Sequence, residues 1–161
     1  MTLSLAVRFA SKAKHLPDRA QVRRWAFAAH AKNSQAVVTI RYVDETEGRA
    51  LNLAFRQKDY ATNVLTFVHA FAHPKPLAEG AGTQPEDGTY SADIAICAPV
   101  IAREARDQKK SVAAHHAHMV VHGLLHAQGF DHEDAVEAAA MEHIEIAVLK
   151  RFRIKNPYET E

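Results

Sequence analysis

An α+β (mixed α/β) fold, about four strands in one sheet packed with about five helices, is what this sequence predicts. Three observations predict it. Leu3, Leu5, Val7 and Phe9 alternate with smaller or polar residues, and Gln35–Val43 is a β-branched run, so the first part of the chain carries strands. Apolar residues at helical spacing lie between and after the strand runs. Residues 111–132, SVAAHHAHMVVHGLLHAQGFDH, read as one central helix that ends on a glycine and carries six of the chain's eleven histidines.

The length of 161 residues and a hydrophobic content of 47% predict one domain, residues 1–161, with a proper core. The lone cysteine, Cys97, excludes an internal disulfide, predicts no disulfide-linked partner and fits a reducing compartment. The opening MTLSLAVRFASK lacks a basic stretch ahead of a long apolar run, so no signal peptide is expected. No apolar run approaches the roughly 20 residues that span a bilayer, so a cytoplasmic protein is expected. Net charge is only +1, yet residues 1–35 carry seven Lys/Arg (Arg8, Lys12, Lys14, Arg19, Arg23, Arg24, Lys32) against Asp18 alone. Residues 133–149 carry five acids and no Lys/Arg. Such asymmetry marks either a nucleic-acid face or a solvated helix plus a basic strand edge.

Taken in order, the first strand covers Leu3 to Phe9. Pro17 is placed to open a helix at its first turn, with Val22, Trp25, Ala26 and Ala29 as its buried stripe and Arg19, Arg23 and Arg24 away from it. Gln35–Val43 is the second strand. Asp44 or Thr46 caps a short helix with Leu51, Leu53, Ala54 and Phe55 as its apolar residues and Arg56 at its end, where a cation suits the helix dipole. Asn63–Val68 is the third strand. Residues 69–89, with Pro74, Pro76, Pro85, Gly80, Gly82 and Gly88, are expected to form a long loop. Ser91–Cys97 is the fourth strand and Pro99–Lys110 a helix. The last helix runs from Glu133 to about Arg153 on Ala138, Met141, Ile144, Ala147, Val148 and Phe152, with His143 expected at the surface.

The central helix carries the chemistry. Ser111 can cap it and Gly129 sits where a helix stops in the left-handed conformation. His115, His118, His122 and His126 share one face; Ala117, Val121, Leu124, Leu125 and Gln128 fall mostly opposite. The expected arrangement sets the apolar back against the sheet and the histidine stripe in a cleft. His122 and His126 are one turn apart, roughly 6 Å along the axis, and a residue arriving after the Gly129 reversal meets that end of the helix first. His122, His126 and His132 can therefore converge on a metal and leave a fourth position open, as catalytic zinc sites do. The spacing equals the metzincin spacing H-E-x-x-H-x-x-G-x-x-H, but Gly123 stands in place of the glutamate base. The usual route to peptide hydrolysis is then missing. Gly inside a helix costs about 1 kcal/mol against Ala, and room for substrate beside the metal is one reason to keep it.

Three stretches carry a family resemblance: LNLAFRQKDYATNVLTF (51–67), ADIAIC (92–97) and HMVVHGLLHAQGFDH (118–132), with NPY closing at Tyr158. Together they resemble the YbeY family of bacterial endoribonucleases, also called rRNA maturation factors. The resemblance implies a metal-dependent, single-strand-specific endoribonuclease acting on the 3′ end of small-subunit rRNA and in ribosome quality control. It implies one Zn2+ per chain on His122, His126 and His132. The family's functional arginine falls on Arg56, which becomes a phosphate binder, so Arg56 and His122 are the expected catalytic residues. Asp131 and His118 are candidates for supporting roles beside the metal. The implied partners are single-stranded rRNA, the small ribosomal subunit and its associated proteins. The chain departs from the family at Thr66-Phe67-Val68 (commonly Ser-Phe-Pro), at Ala92-Asp93-Ile94 (commonly Gly-Asp-Ile) and at Phe130 (commonly Tyr). Two rival readings are a metzincin-like metallohydrolase of another substrate and a ribosome-binding factor whose metal is structural.

Overall fold

Four strands form one mixed sheet in the order β1-β2-β4-β3. The computed structural model describes residues 2–32, 34–72 and 89–159. The strands are β1 (Leu3–Phe9), β2 (Gln35–Val43), β3 (Val64–Ala72) and β4 (Thr89–Cys97). β1, β2 and β4 run parallel, and β3 pairs antiparallel with β4 at the edge. The helices are α1 (Arg19–Ala29), α2 (Glu45–Arg56), α3 (Ala98–Asp107), α4 (Val112–Ala127) and α5 (Ala135–Lys150).

Side chains alternate across a strand, so register decides which residues meet. Leu3 and Val7 of β1, Val38, Ile40 and Tyr42 of β2, and Ala92, Ile94 and Ile96 of β4 share one face, and all are buried. α1, α4 and α5 close that face with Val22, Trp25, Val121, Leu124, Leu125, Met141 and Leu149. Leu124 and Leu125 are both 0% exposed, and each such side chain contributes about 1.5–3 kcal/mol by leaving water. On the opposite face Val37 and Asp93 are exposed, and α2 covers only the end near Cys97, whose sulfur lies where a Cβ on Gly48 would be 3.2 Å away.

Several local expectations are corrected. α1 begins after Pro17: Asp18 is the N-cap and exchanges bonds with Gln21 in a capping box. Asp44 is the N-cap of α2 by position, but its carboxylate instead accepts from Ser11 and from the Lys12 amide, tying the β1–α1 connection down. The buried residues of α2 are Gly48 and Asn52, while Leu53 and Phe55 are exposed. The expected long loop is shorter at both ends, because His69 to Ala72 continue β3 past a bulge after Val68 and Thr89 already belongs to β4; residues 73–88 lie outside the described residues. α5 ends at Lys150, with Arg153 in a left-handed turn just beyond it.

Two of the N-terminal arginines serve the sheet edge. Arg19 Nε donates to the Val7 carbonyl at 3.3 Å and its guanidinium lies over Phe9. Arg23 donates to the Leu5 carbonyl at 3.4 Å and lies over Phe27. β1 is an edge strand, and these contacts occupy carbonyls that would otherwise face a stray strand. For these two residues the strand-edge reading holds.

Candidate metal centre

The site is built by the way α4 ends. Ser111 starts the helix by accepting from the Ala114 amide at 3.1 Å. At the other end Gly129 has φ 99°, a conformation that glycine adopts without Cβ strain. The Gly129 amide bonds the His126 carbonyl and the Phe130 amide bonds the Leu125 carbonyl, both at 3.0 Å, which is a Schellman turn. Phe130 is thereby buried beside Leu125, and the chain returns over the helix end carrying Asp131 and His132.

This reversal brings His122, His126 and His132 together, with one ligand nitrogen from each lying within 4.8 Å of the others. His126 Nδ1 faces the Phe130 carbonyl at 2.9 Å, so it carries the ring's proton and Nε2 keeps a lone pair. That Nε2 lies 3.0 Å from His122 Nε2. Burial, with help from the neighbouring His122 and His132, pushes the His126 pKa down to about 4, so the ring is neutral near pH 7. Three converging imidazoles with one neutral and correctly protonated ring are a donor set that fits a divalent metal.

The remaining histidines of α4 do not face the cleft. His115 is buried against Glu104 of α3 at 2.9 Å, a bond that holds the Glu104 carboxyl below its ordinary range. His116 packs on the Tyr42 ring and is buried. His118 is buried against Glu145 of α5 and the Tyr158 hydroxyl. The expected stripe is thus split: α3 and α5 cover its N-terminal half, and only the His122–His126 end is open. Glu145 has no counterpart in the sequence reading. Its signal was an acid among the apolar positions Met141, Val148 and Leu149, which are all buried with it. Burial pushes its carboxyl up, but the hydrogen bonds from His118 and His122 outweigh that and hold it below the ordinary carboxylate range.

Gly123 also has a packing reason. A Cβ there would meet Ile94 Cγ2 at 3.0 Å and Thr66 Oγ1 at 3.5 Å. β3 and β4 approach the helix closely here, so glycine serves close helix–sheet packing, and a larger side chain such as a protease glutamate would have to displace Ile94. Gln128, assigned to the back of the helix, is an anchor. It is fully buried, accepts from the Ala31 amide at 2.8 Å, and donates to the carbonyls of Ala29 at 2.8 Å and Leu124 at 2.9 Å. It fixes the end of α4, and so the histidines, to the end of α1.

One cleft joins the three histidines to Arg56, Phe55, Thr66, Phe67 and Asp131. Arg56 is the last residue of α2, ahead of Gln57 in the left-handed conformation, and is exposed. Buried Asn52 holds this end by donating to the Tyr60 carbonyl at 2.7 Å. Arg41, Arg49 and Arg103 are each paired with an acid; among the described residues Arg56 has no such partner. Phe55 is 65% exposed and meets Phe67 at 4.7 Å between ring centroids. Asp131 Oδ1 accepts from the His132 amide at 2.8 Å.

The sequence model of the family described as endoribonuclease YbeY matches residues 9–153. The chain belongs to the YbeY endoribonuclease family. It is 49% identical over 158 residues to an endoribonuclease YbeY of Thiobacillus denitrificans (strain ATCC 25259 / T1), covering 98% of this chain and 97% of that protein. An endoribonuclease YbeY of Azoarcus sp. (strain BH72) is 52% identical over 142 residues, 88% of this chain and 53% of the longer relative. In three dimensions the chain is similar to the solution structure of TM1509 from Thermotoga maritima, with a TM-score of 0.51 at 20% identity, over 98% of this chain and 97% of the other. That likeness speaks for the fold. No helix among the described residues is long and apolar enough to cross a membrane.

Proposed function

We propose that this chain is an endoribonuclease that cuts single-stranded RNA in rRNA processing, in small-subunit 3′-end maturation and ribosome quality control, with one zinc ion on His122, His126 and His132. The observation that carries the reading is three ligand nitrogens within 4.8 Å of one another in the same cleft as an arginine without an acidic partner among the described residues. Three imidazoles suit zinc and leave a coordination position open, whereas structural zinc sites are usually closed by four protein ligands. The bound ion would supply Lewis acidity and lower the pKa of water to about 7.

The chain's own groups do the rest. The Arg56 guanidinium is a planar fork that matches two phosphate oxygens, and it offsets the negative charge that grows there during cleavage. Phe55, exposed and braced by Phe67, offers a base an aromatic face. Every base has such a face, and only an unpaired strand can turn one outward, so this element selects single strands without selecting sequence. His126 keeps its proton on Nδ1, against the Phe130 carbonyl, throughout. Asp131 steadies the return of the chain at His132. Arg8, Lys12, Lys14 and Arg24 add a salt-dependent attraction for RNA. The reading has the protein working in the cytoplasm, with the small ribosomal subunit and its associated proteins as partners.

The test is cleavage of single-stranded RNA carrying a small-subunit rRNA 3′ end by the wild type, His126→Ala and Arg56→Ala, purified identically. Cleavage by the wild type alone, removed by a chelator and restored by zinc, is the expected result. Equal cleavage by all three proteins would expose a contaminating nuclease and remove the support. No cleavage by the wild type with one zinc still bound would favour a ribosome factor with a structural metal.

A further inference from the structure

Glu145 is 1% exposed on the inner face of α5. Removing a carboxylate from water costs several kcal/mol unless its oxygens are satisfied. Packing of α5 does not require it, because Met141, Val148 and Leu149 already bury that face. Its partners all lead towards the histidine cluster. His118 Nε2 takes Oε2, His122 Nδ1 faces Oε1 at 3.4 Å, and the Tyr158 hydroxyl donates from 3.0 Å to the two oxygens. The buried Nδ1 of His118 has no hydrogen-bond partner among the described residues, so the ring's single proton belongs on Nε2, towards the carboxylate.

His122 therefore uses its two nitrogens in opposite directions, Nε2 towards His126 and Nδ1 towards Glu145. A carboxylate behind the far nitrogen of a ligating imidazole fixes the tautomer, aims the ring and raises its basicity. We infer that Glu145 is a positioning residue of the metal centre, acting through His122, and that Tyr158 from the C-terminal segment holds the Glu145 carboxylate in line. The inference rests on the three-histidine reading above. It makes the last turn of the chain part of the site: Lys110 Nζ bonds the Pro157 carbonyl at 2.6 Å and sets Tyr158 against α4, edge-on to the His118 ring.

The test is zinc affinity by chelator competition on metal-stripped wild type, Glu145→Gln, Tyr158→Phe and His126→Ala. The melting temperature of each metal-free protein and the visible bands of each Co2+-loaded one are measured alongside. Glu145→Gln is expected to weaken zinc binding on the order of 10–100-fold. Tyr158→Phe, which keeps the ring beside His118 and removes one hydroxyl, is expected to weaken it roughly five-fold. The Co2+ bands shift in both, and the metal-free Tyr158→Phe protein still unfolds cooperatively, about 2–4 °C below wild type for the hydrogen bond it loses. Wild-type affinity and Co2+ spectrum in Tyr158→Phe, with zinc lost from His126→Ala, would overturn the inference, also if Glu145→Gln does not fold. A lower metal-free melting temperature with unchanged affinity would likewise overturn it, leaving Tyr158 a stability element. Undiminished zinc binding by His126→Ala would sink the three-histidine reading itself, and this inference with it.

Discussion

His122 Nε2 and His126 Nε2 lie 3.0 Å apart, and the other nitrogen of His126 is committed to the Phe130 carbonyl. Two lone pairs held this close repel unless a cation or a proton comes between them. The folded protein should bind zinc, and the unfolded chain far less well, so zinc should raise thermal stability. At a free concentration about 100 times the dissociation constant the gain is about 2.7 kcal/mol. Melting curves with zinc and with a chelator measure it, and His126→Ala should melt alike in both.

Gly123 predicts a substitution that defies helix propensity. Alanine would gain about 1 kcal/mol in an open helix, but here its Cβ meets Ile94 at 3.0 Å, and Ile94 is 1% exposed in the middle of the sheet. Gly123→Ala should leave the protein no more stable, and Gly123→Glu should cost several kcal/mol by driving a carboxylate into the sheet. Urea unfolding reads both, and a stabilised Gly123→Ala would contradict the packing account.

Arg56 is exposed and unpaired among the described residues, so its replacement should spare the fold. Arg56→Ala should lower RNA cleavage on the order of 100-fold, the loss of roughly 3 kcal/mol of charge-assisted bonding in the transition state. Arg56→Lys should recover only part of it, since an ammonium is a point charge and not a fork. Melting temperatures of both within a degree or so of wild type complete the expectation; full activity in Arg56→Ala would refute it.

His116 gives stability a pH dependence. Burial first, and His115 second, push its pKa from 6.5 down to about 4. Between those values the unfolded chain takes up a proton that the folded chain refuses, so this part of the stability is whole above pH 6.5 and falls with acid until about pH 4. The loss from this residue between about pH 7 and pH 5 is about 2 kcal/mol. His116→Leu should show a flatter urea-midpoint profile than wild type over that range, and an identical profile would refute the assignment.

Much of this was legible in the sequence because it is local. The bounds of β1 and β2, the Ser111 cap and the stop at Gly129 are written in alternation, capping chemistry and backbone freedom. The convergence of His122, His126 and His132 follows from helical pitch and one reversal. What escaped depends on which neighbour a face meets. Leu53 and Phe55 look like core residues by composition, yet α2 turns Gly48 and Asn52 to the sheet. The histidines of α4 form one stripe by periodicity, and only the approach of Glu104 and Glu145 from other helices divides it. Gly123 and Gln128 likewise take their meaning from Ile94 and from the end of α1.

The Schellman turn at Gly129 has a kinetic corollary. One helix end and its reversal hold all three histidines, so the ion can escape when that short piece of chain opens, without global unfolding. On the three-histidine reading proposed above, the residence time of a bound metal would follow the opening of that turn, which the bond from the Phe130 amide to the Leu125 carbonyl holds shut. An amide proton and a metal ion become two clocks started by the same hinge.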